Sequence, residues 1–386
     1  MRPPLACVSG DNREILAAWR LAARLGRPFM PLAPDLPSRT RAALMARAGA
    51  RPGPPGEAPA PATADLPPLL MATSGSEGRP RLISLDTASL AAMAAAANRR
   101  LGLGRGDLWL LCLPLYHIGG MAILYRAAWA GAGVLAHPRF DPGRVARDLA
   151  THPVSHLSLV PAMLPPLLER SPAPPPRLRR VLVGGGPLDP GLMRRATARG
   201  WPLCPSYGLT EAASLVACEP PGEAPWPAGR VGRPLDGMAV RIEEGRLWLR
   251  APQIPSTLER DAEGWFRTGD LARLDEAGRL HILGRADDLL VTGGRNVHPL
   301  EVERVLAGFP GIGGVALSAR PDPRWGQRLV AVVEGDIDAA ALLAWARDRL
   351  PPHQRPREVM RIPALPQGRL GKLDRRTLLT WVAAAD

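Results

Sequence analysis

The sequence predicts an α/β protein: a large layered N-terminal domain with parallel-sheet subdomains and a more antiparallel lobe, followed by a small α/β C-terminal domain. Three observations carry this. Apolar runs such as "LWLL", "HLSLV" and "RVLV" alternate with helical segments, as expected of strands buried on both faces of a parallel sheet. Near residue 238 the texture changes to alternating residues around short turns, in "MAVRIEEGRLWLRAP" and "LARLDEAGRLHILGR". After Gly284 a second set of strands and helices begins, long enough for its own core, so the domains are read as 1–284 and 285–386.

Taken in order, "NREILAAWRLAARLGRPFM" (12–30) reads as the first helix, and the Pro- and Gly-rich stretch 50–68 as an irregular connection. "LPPLLMATSG" is a short strand running into a polar loop. Asp86 or Thr87 can cap the helix "TASLAAMAAAANRRLGL". "DLWLLCLPLYHIGGMAILYRAAWAGAGVLAH" gives a strand, a polar interruption, an Ala-rich helix and another strand. "HLSLV" and "PAMLPPLLER" follow as strand and helix, and "LRRVLVGGGPLDPGLMRRATARG" as strand, glycine turn and helix. Hairpins are expected around Glu244-Gly245 and around Glu276 to Gly278. In the second domain, "DDLLVTGGRNVHPLEVERVLAG" reads as strand, glycine turn and a helix opened by Pro299. "GGVALSA" and "RLVAVVEG" are strands, "DAAALLAWARDRL" is a helix, and the loop "PALPQGRLGKLDRRTLL" precedes a last helix.

The 386 residues are 46% hydrophobic, enough for a globular core, and only 4% aromatic. The 45 Pro and 40 Gly are spread along the chain and read as background composition. Cys7, Cys112, Cys204 and Cys218 lack metal or redox spacing, which suits a reduced, cytoplasmic chain. With 49 basic and 36 acidic residues the net charge is +13. Dispersed arginines without interleaved aromatics argue against a nucleic-acid partner, and attraction of small polyanionic substrates is an equally physical use of the charge. Neither a signal-like N-terminus nor an apolar run of spanning length is present, so a soluble protein without a membrane partner is expected.

Four stretches carry candidate chemistry. In "TSGSEGRPR", Thr73, Ser74, Gly75, Ser76 and Gly78 can offer hydroxyls and backbone N–H groups to an anion, with Arg79 and Arg81 adding charge. Alone, this stretch is better read as a solvated turn, and it lacks the order of the P-loop. In "SYGLTEAAS", Tyr207 can stack on a planar base, Thr210 can bond a phosphate oxygen and Glu211 can hold a divalent cation. The bland alternative has Thr210 and Glu211 capping a helix over "EAASLVA". "WFRTGD" ends in Asp270, suited to two ribose hydroxyls or to a simple turn. Lys372, between Gly368, Gly371 and several arginines, can either enter a cleft and neutralise developing charge or belong to a solvated basic patch.

Together these stretches resemble the adenylate-forming superfamily of acyl- and aryl-CoA synthetases, the AMP-dependent synthetases and ligases. The landmarks occur in family order: "TSGSEGRPR", "LPLYHIGG", "VLVGGGPL", "YGLTE", "RTGD", "GRADDLLVTGGRNVHPLEVERVL" and "GRLGKLDR". The resemblance implies ATP and Mg²⁺ as cofactors, coenzyme A as co-substrate, and a C-terminal domain that moves. It implies that Thr73 to Arg81 handles the ATP phosphates, and that Gly184, Gly185, Gly186 and Pro187 line the adenine and acyl sites. Tyr207 and Gly208 fall at the adenine-packing position, Thr210 and Glu211 at the phosphate and Mg²⁺ positions, and His117 near the acyl pocket. Asp270 matches the ribose ligand, Arg285 the ribose- and phosphate-side arginine, and Asp287 the hinge. Gly293 and Gly294 resemble the loop lining the pantetheine tunnel, and Lys372 the lysine of adenylation.

The sequence departs from the family pattern in three places. Fewer residues than usual precede the phosphate loop, Glu77 stands where a hydroxyl residue is usual, and Arg81 where a lysine is usual. Glu77 is expected to alter ATP handling without abolishing catalysis. For the acid, "LPLYHIGGMAILYRAAWAGAGVLAHPRFD" and "HPVSHLSLVPAMLPPLLE" look most like the o-succinylbenzoate–CoA ligases of menaquinone biosynthesis. Other aryl or medium-chain acids, a carrier-protein thiol as acceptor, and a non-catalytic nucleotide-binding relative stay open at this point, as does a homodimer.

Overall fold

A computed structural model describes residues 3–52, 65–73, 81–222, 226–367 and 373–385. The chain divides into two compact units. The first is Met1–Arg241 with Trp248–Arg267 and Leu274–Leu280; the second is Ile242–Leu247, Thr268–Arg273 and His281–Asp386.

The first unit opens with β1 (Leu5–Val8), α1 (Asn12–Arg24), β2 (Phe29–Leu32), α2 (Ser38–Ala48), β3 (Arg51–Pro52), β4 (Leu69–Thr73) and β5 (Arg81–Leu85). Asp11 caps α1 by accepting from the Arg13 N–H, and Ile15, Ala18, Trp19 and Ala22 give it one buried face. The helix stops well short of residue 30. Gly26 takes φ 59° and donates back to Ala23 O, and Pro28 follows, so the chain turns into β2 instead. The strands form a sheet in the order β3-β1-β2-β4-β5, parallel except for the antiparallel β4–β5 hairpin.

Next come α3 (Thr87–Leu101), β6 (Leu108–Leu111), α4 (Ile118–Ala130), β7 (Gly133–Ala136), α5 (Pro142–Thr151), β8 (His156–Leu159) and α6 (Leu164–Arg170). β9 (Arg180–Val183), α7 (Pro190–Ala198), β10 (Leu203–Leu209), β11 (Ser214–Cys218) and β12 (Arg230–Pro234) follow. Asp86 caps α3 through the Ser89 N–H at 2.7 Å, as its position before an Ala-rich run predicts. In this unit β12-β11-β10-β9-β8-β6-β7 lie side by side. β7, β6, β8, β9 and β10 are parallel, whereas β11 pairs antiparallel with β10 and β12 antiparallel with β11. β8 is buried at all four residues, and a core of Leu110, Val145, Leu157, Leu167, Val181 and Leu203 packs with helices against these strands.

β13 (Ala239–Glu243), β14 (Arg246–Arg250), β15 (Phe266–Leu274) and β16 (Leu280–Arg285) supply the alternating segments. Glu244 and Gly245 take φ 50° and 76° at the first expected turn, and Gly278 donates back to Asp275 O at the second. β17 (Leu290–Thr292) and β18 (Arg295–Val297) form a hairpin, then α8 (Pro299–Leu306), β19 (Val315–Asp322), β20 (Gly326–Glu334), α9 (Ala339–Arg349), β21 (Glu358–Ile362) and α10 (Arg375–Ala384) complete the second unit. Its three-stranded sheet β19-β20-β21 packs Leu317, Leu329, Ala331 and Val333 against Val302, Leu306 and Leu342 of α8 and α9. Pro299 opens α8 as expected. Strands β1, β2, β3, β5, β10, β12, β18 and β21 and helices α2 and α5 were not anticipated from the sequence. No helix among the described residues is long and apolar enough to cross a membrane.

Candidate active site

In the first unit the candidate residues cluster at the carboxyl ends of adjacent parallel strands, the usual ligand edge of such sheets. After β9 the chain enters Gly184–Pro187. The Gly184 N–H donates to Leu159 O of β8, and Ser206 Oγ of β10 donates to Val183 O at 3.0 Å. A Cβ on Gly184 would meet Ser206 Oγ at 2.5 Å and the Ser206 carbonyl oxygen at 3.3 Å, so glycine suits the β9 exit where it lies against β10. Gly185 takes φ 80°, and Gly186 faces the Pro161 ring at the end of β8. His117 follows the end of β6 as the N-cap of α4, its ring 4.8 Å from that of Tyr116. Gly120 lets this helix start against the Pro114 carbonyl, where a Cβ would clash.

β10 carries Tyr207 and Gly208, with a bulge between them, and its pairing with β11 resumes at Gly208–Leu215. Thr210–Ala212 forms a 3₁₀ turn, followed by Ala213 at φ 53° and Ser214 at φ 116°. The helix considered over "EAASLVA" is therefore not what forms; Ser214–Cys218 is a fully buried strand. Non-glycine residues in this region cost about 1–3 kcal/mol each, and such strain persists only where surrounding contacts hold it. Here Gly208 leaves room for the Ser214 carbonyl, which a Cβ would overlap. Thr210 and Glu211 thus sit on a strained, braced turn.

Among the described residues no group of three or more His, Cys, Asp or Glu is gathered to hold a metal by itself. The turn offers a single carboxylate, Glu211. That donor set fits Mg²⁺, which takes one or two protein carboxylates and completes its octahedron with water and substrate phosphates.

The phosphate-loop residues are only partly described. Thr73 and Arg81 pair across the last rung of the β4–β5 hairpin, so the loop is closed by a two-stranded stem. Ser74, Gly75, Ser76, Glu77, Gly78 and Arg79 lie outside the described residues, as does Lys372. On either side of Lys372, Gln367 pairs with Leu373, and the Asp374 N–H donates to Pro366 O.

In the second unit, Arg285 lies 3.4 Å from Asp270 and 3.4 Å from Asp287. Burial pulls the Arg285 guanidinium down, but Asp270 and then Asp287 outweigh it and leave it raised, so it stays charged. The Asp270 N–H donates to Thr268 Oγ1, whose buried hydroxyl donates to Leu247 O. Gly269, which the sequence reading passed over, is as constrained as its neighbour: a Cβ would overlap the Arg285 guanidinium. Gly293 and Gly294 take φ 56° and 72° at the β17–β18 turn, the geometry of a two-residue I′ hairpin. The Gly293 N–H donates to Trp325 O, and the Trp325 ring lies 3.1 Å from where a Cβ would stand.

The sequence reading also missed a network around the hinge position. Arg375, first residue of α10, pairs with both oxygens of Glu303 at 2.8 Å and with Asp288 at 3.2 Å. Asp288 follows Asp287 in a 3₁₀ turn, and Arg375 stands three residues after Lys372.

Comparison with known proteins adds independent findings. The AMP-binding enzyme family matches residues 31–254, and the AMP-binding enzyme C-terminal domain matches residues 301–372. The chain is 32% identical over 336 residues to 2-succinylbenzoate–CoA ligase of Bacillus velezensis, covering 82% of this chain and 69% of that one. It is 34% identical over 321 residues to the enzyme of that name from Listeria monocytogenes, covering 80% and 69%. Among solved structures it is similar to o-succinylbenzoate coenzyme A synthetase of Bacillus subtilis in complex with ATP and magnesium ion. That match has a TM-score of 0.86 and 26% identity, over 98% of this chain and 89% of the other. Landmarks in family order, a fold of matching architecture and these two family matches agree: the chain belongs to the AMP-binding enzyme family.

Proposed function

We propose that the chain is an ATP-dependent, AMP-forming acid–CoA ligase that activates 2-succinylbenzoate as its acyl-adenylate and transfers the acyl group to coenzyme A, a step of menaquinone biosynthesis. The observation that carries this is the braced turn holding Thr210 and Glu211 beside Tyr207 and the Gly184–Pro187 exit. It occurs in a chain whose relatives bear the name 2-succinylbenzoate–CoA ligase.

A carboxylate is a poor acyl donor because its leaving group would be oxide. Its attack on the ATP α-phosphate expels pyrophosphate and gives a mixed anhydride whose leaving group is AMP. The thiol of CoA then attacks the acyl carbon, the thioester forms and AMP departs. In this reading Tyr207 packs on adenine beside Gly208, and Asp270 binds the ribose hydroxyls with Arg285 alongside. Thr73, Arg81 and the loop they close, with Ser74, Gly75, Ser76 and Gly78, handle the β- and γ-phosphates. Thr210 bonds phosphate oxygen. When bound with ATP, Mg²⁺ at Glu211 supplies charge neutralisation where two anions meet. His117 borders the acyl pocket, and Lys372 stabilises charge developing on phosphate and carboxylate oxygens.

The 285–386 domain turns about Asp287 between the half-reactions, withdrawing Lys372 and bringing Gly293 and Gly294 to the pantetheine arm. The reactants are small anions in the cytoplasm, and neither nucleic acid nor membrane takes part.

Acid-dependent release of pyrophosphate tests the reading. Lys372→Ala should lose most of this release, at least about a hundredfold by comparison with other removed transition-state donors, while its circular dichroism is unchanged. Unchanged release in a folded Lys372→Ala would overturn the role of the lysine.

A further inference from the structure

Arg126, on α4, is 1% exposed, and no acidic side chain lies within ion-pair distance among the described residues. Isolated buried charge is costly, so something in the structure must require it. Its contacts say what. Nε approaches Met93 Sδ at 3.4 Å, the guanidinium lies 5.7 Å from the centre of the Trp109 ring, and Nη2 donates to Ser214 Oγ at 3.1 Å. Ser214 is the φ 116° residue of the turn that carries Thr210 and Glu211.

From another direction, Gln253, 3% exposed in the segment after β14, donates both amide hydrogens into the same turn. One goes to Ala212 O at 2.7 Å and one to Leu215 O at 2.8 Å. Two buried side chains from distant parts of the chain thus bond residues 212, 214 and 215, on both sides of the two left-handed residues. Without them the turn could relax toward ordinary backbone angles and move the hydroxyl of Thr210 and the carboxylate of Glu211.

We infer that Arg126 and Gln253 are positioning residues, acting through Ser214 and the Ala212 and Leu215 carbonyls to fix the turn that presents Thr210 and Glu211 to metal-bound triphosphate. This rests on the nucleotide role proposed above for that turn. It is the part played by outer residues in other metal sites, where loss of the support weakens metal binding or activity about 10- to 100-fold.

The test uses Ser214→Ala, Gln253→Met and Arg126→Met in the full chain, with two readouts that need no turnover. The first is hydrogen exchange of the peptide covering residues 208–218 without ligand. The second is the Mg²⁺ concentration needed for ATP binding, by calorimetry. The inference expects faster exchange confined to that peptide and a Mg²⁺ requirement raised roughly tenfold, with metal-free ATP binding and melting little changed in Ser214→Ala. Unaltered local exchange, or an unaltered Mg²⁺ requirement, in both Ser214→Ala and Gln253→Met would overturn it, whether or not Arg126→Met folds. A wild-type chain that binds ATP with Mg²⁺ but releases no pyrophosphate with any acid would overturn the proposed reaction and leave this inference standing. Failure to bind ATP with Mg²⁺ would overturn both.

Discussion

Gly269 is small because Arg285 lies across it, and Arg285 lies there because Asp270 and Asp287 flank it at 3.4 Å each. Gly269→Ala should push the guanidinium off Asp270 while leaving the core untouched. Steady-state kinetics should show kcat/KM for ATP falling about tenfold, equivalent to about 1.4 kcal/mol, and the melting temperature moving by less than about 4 °C. Unchanged kinetics would mean that Arg285 has no part in nucleotide binding. The candidates Tyr207, Thr210 and Glu211 were legible in the sequence because they fall within five positions, at the end of β10 and on the turn that follows it. Gly269 was not, because the reason for it is a side chain sixteen positions away on the next strand. Arg126 was hidden in the same way, because its partner Ser214 lies 88 positions away on β11.

Elements were legible where the local signal was strong. Asp86, expected as a cap, does cap its helix through its own side chain; Asp11, Asp189, Asp338 and Asp374, not singled out from the sequence, cap theirs in the same way. Strands β6, β8 and β9 announced themselves as apolar runs. The short β1 and β2 did not, since four apolar residues beside a helix carry no period of their own. β11 is the instructive case: "EAASLVA" suits a helix locally, but pairing with β10 and full burial select a strand. For the β17–β18 hairpin, Gly293→Ala would meet both a positive φ and the Trp325 ring. If this hairpin serves the thiol step, acyl-CoA formation should drop about tenfold while acid-dependent pyrophosphate exchange stays within twofold, a roughly 0.4 kcal/mol limit. An equal fall in both rates would assign the hairpin to adenylation instead.

At the scale of the whole molecule, much of the arginine excess has structural employment. Arg100 donates to the carbonyls of Cys218, Arg233 and Pro234, and Arg241 lies between the rings of Trp248 and Trp265. Composition showed the charge and could not show these uses. Stability should also carry a pH signature. His156 is fully buried, its ring nitrogens bonded to Leu101 O and Ser155 Oγ; burial lowers its pKa below the ordinary value, outweighing the Leu101 bond. The unfolded chain then binds the proton more readily, so stability falls as pH drops through the ordinary histidine range near 6.5. Melting followed from pH 8 to about pH 5.5 should decline on the acid side, and His156→Gln should flatten that slope even though it lowers the plateau. An unaltered slope would place the acid sensitivity elsewhere.

The proposed function is that this chain joins 2-succinylbenzoate to coenzyme A through an adenylate. It is tested most directly by incubating the full chain with ATP, Mg²⁺, CoA and a panel of aryl and medium-chain acids, and reading acyl-CoA by mass. 2-Succinylbenzoyl-CoA is expected as the dominant product, formed with one AMP and one pyrophosphate per turnover. Robust turnover of another acid with none of 2-succinylbenzoate would contradict it.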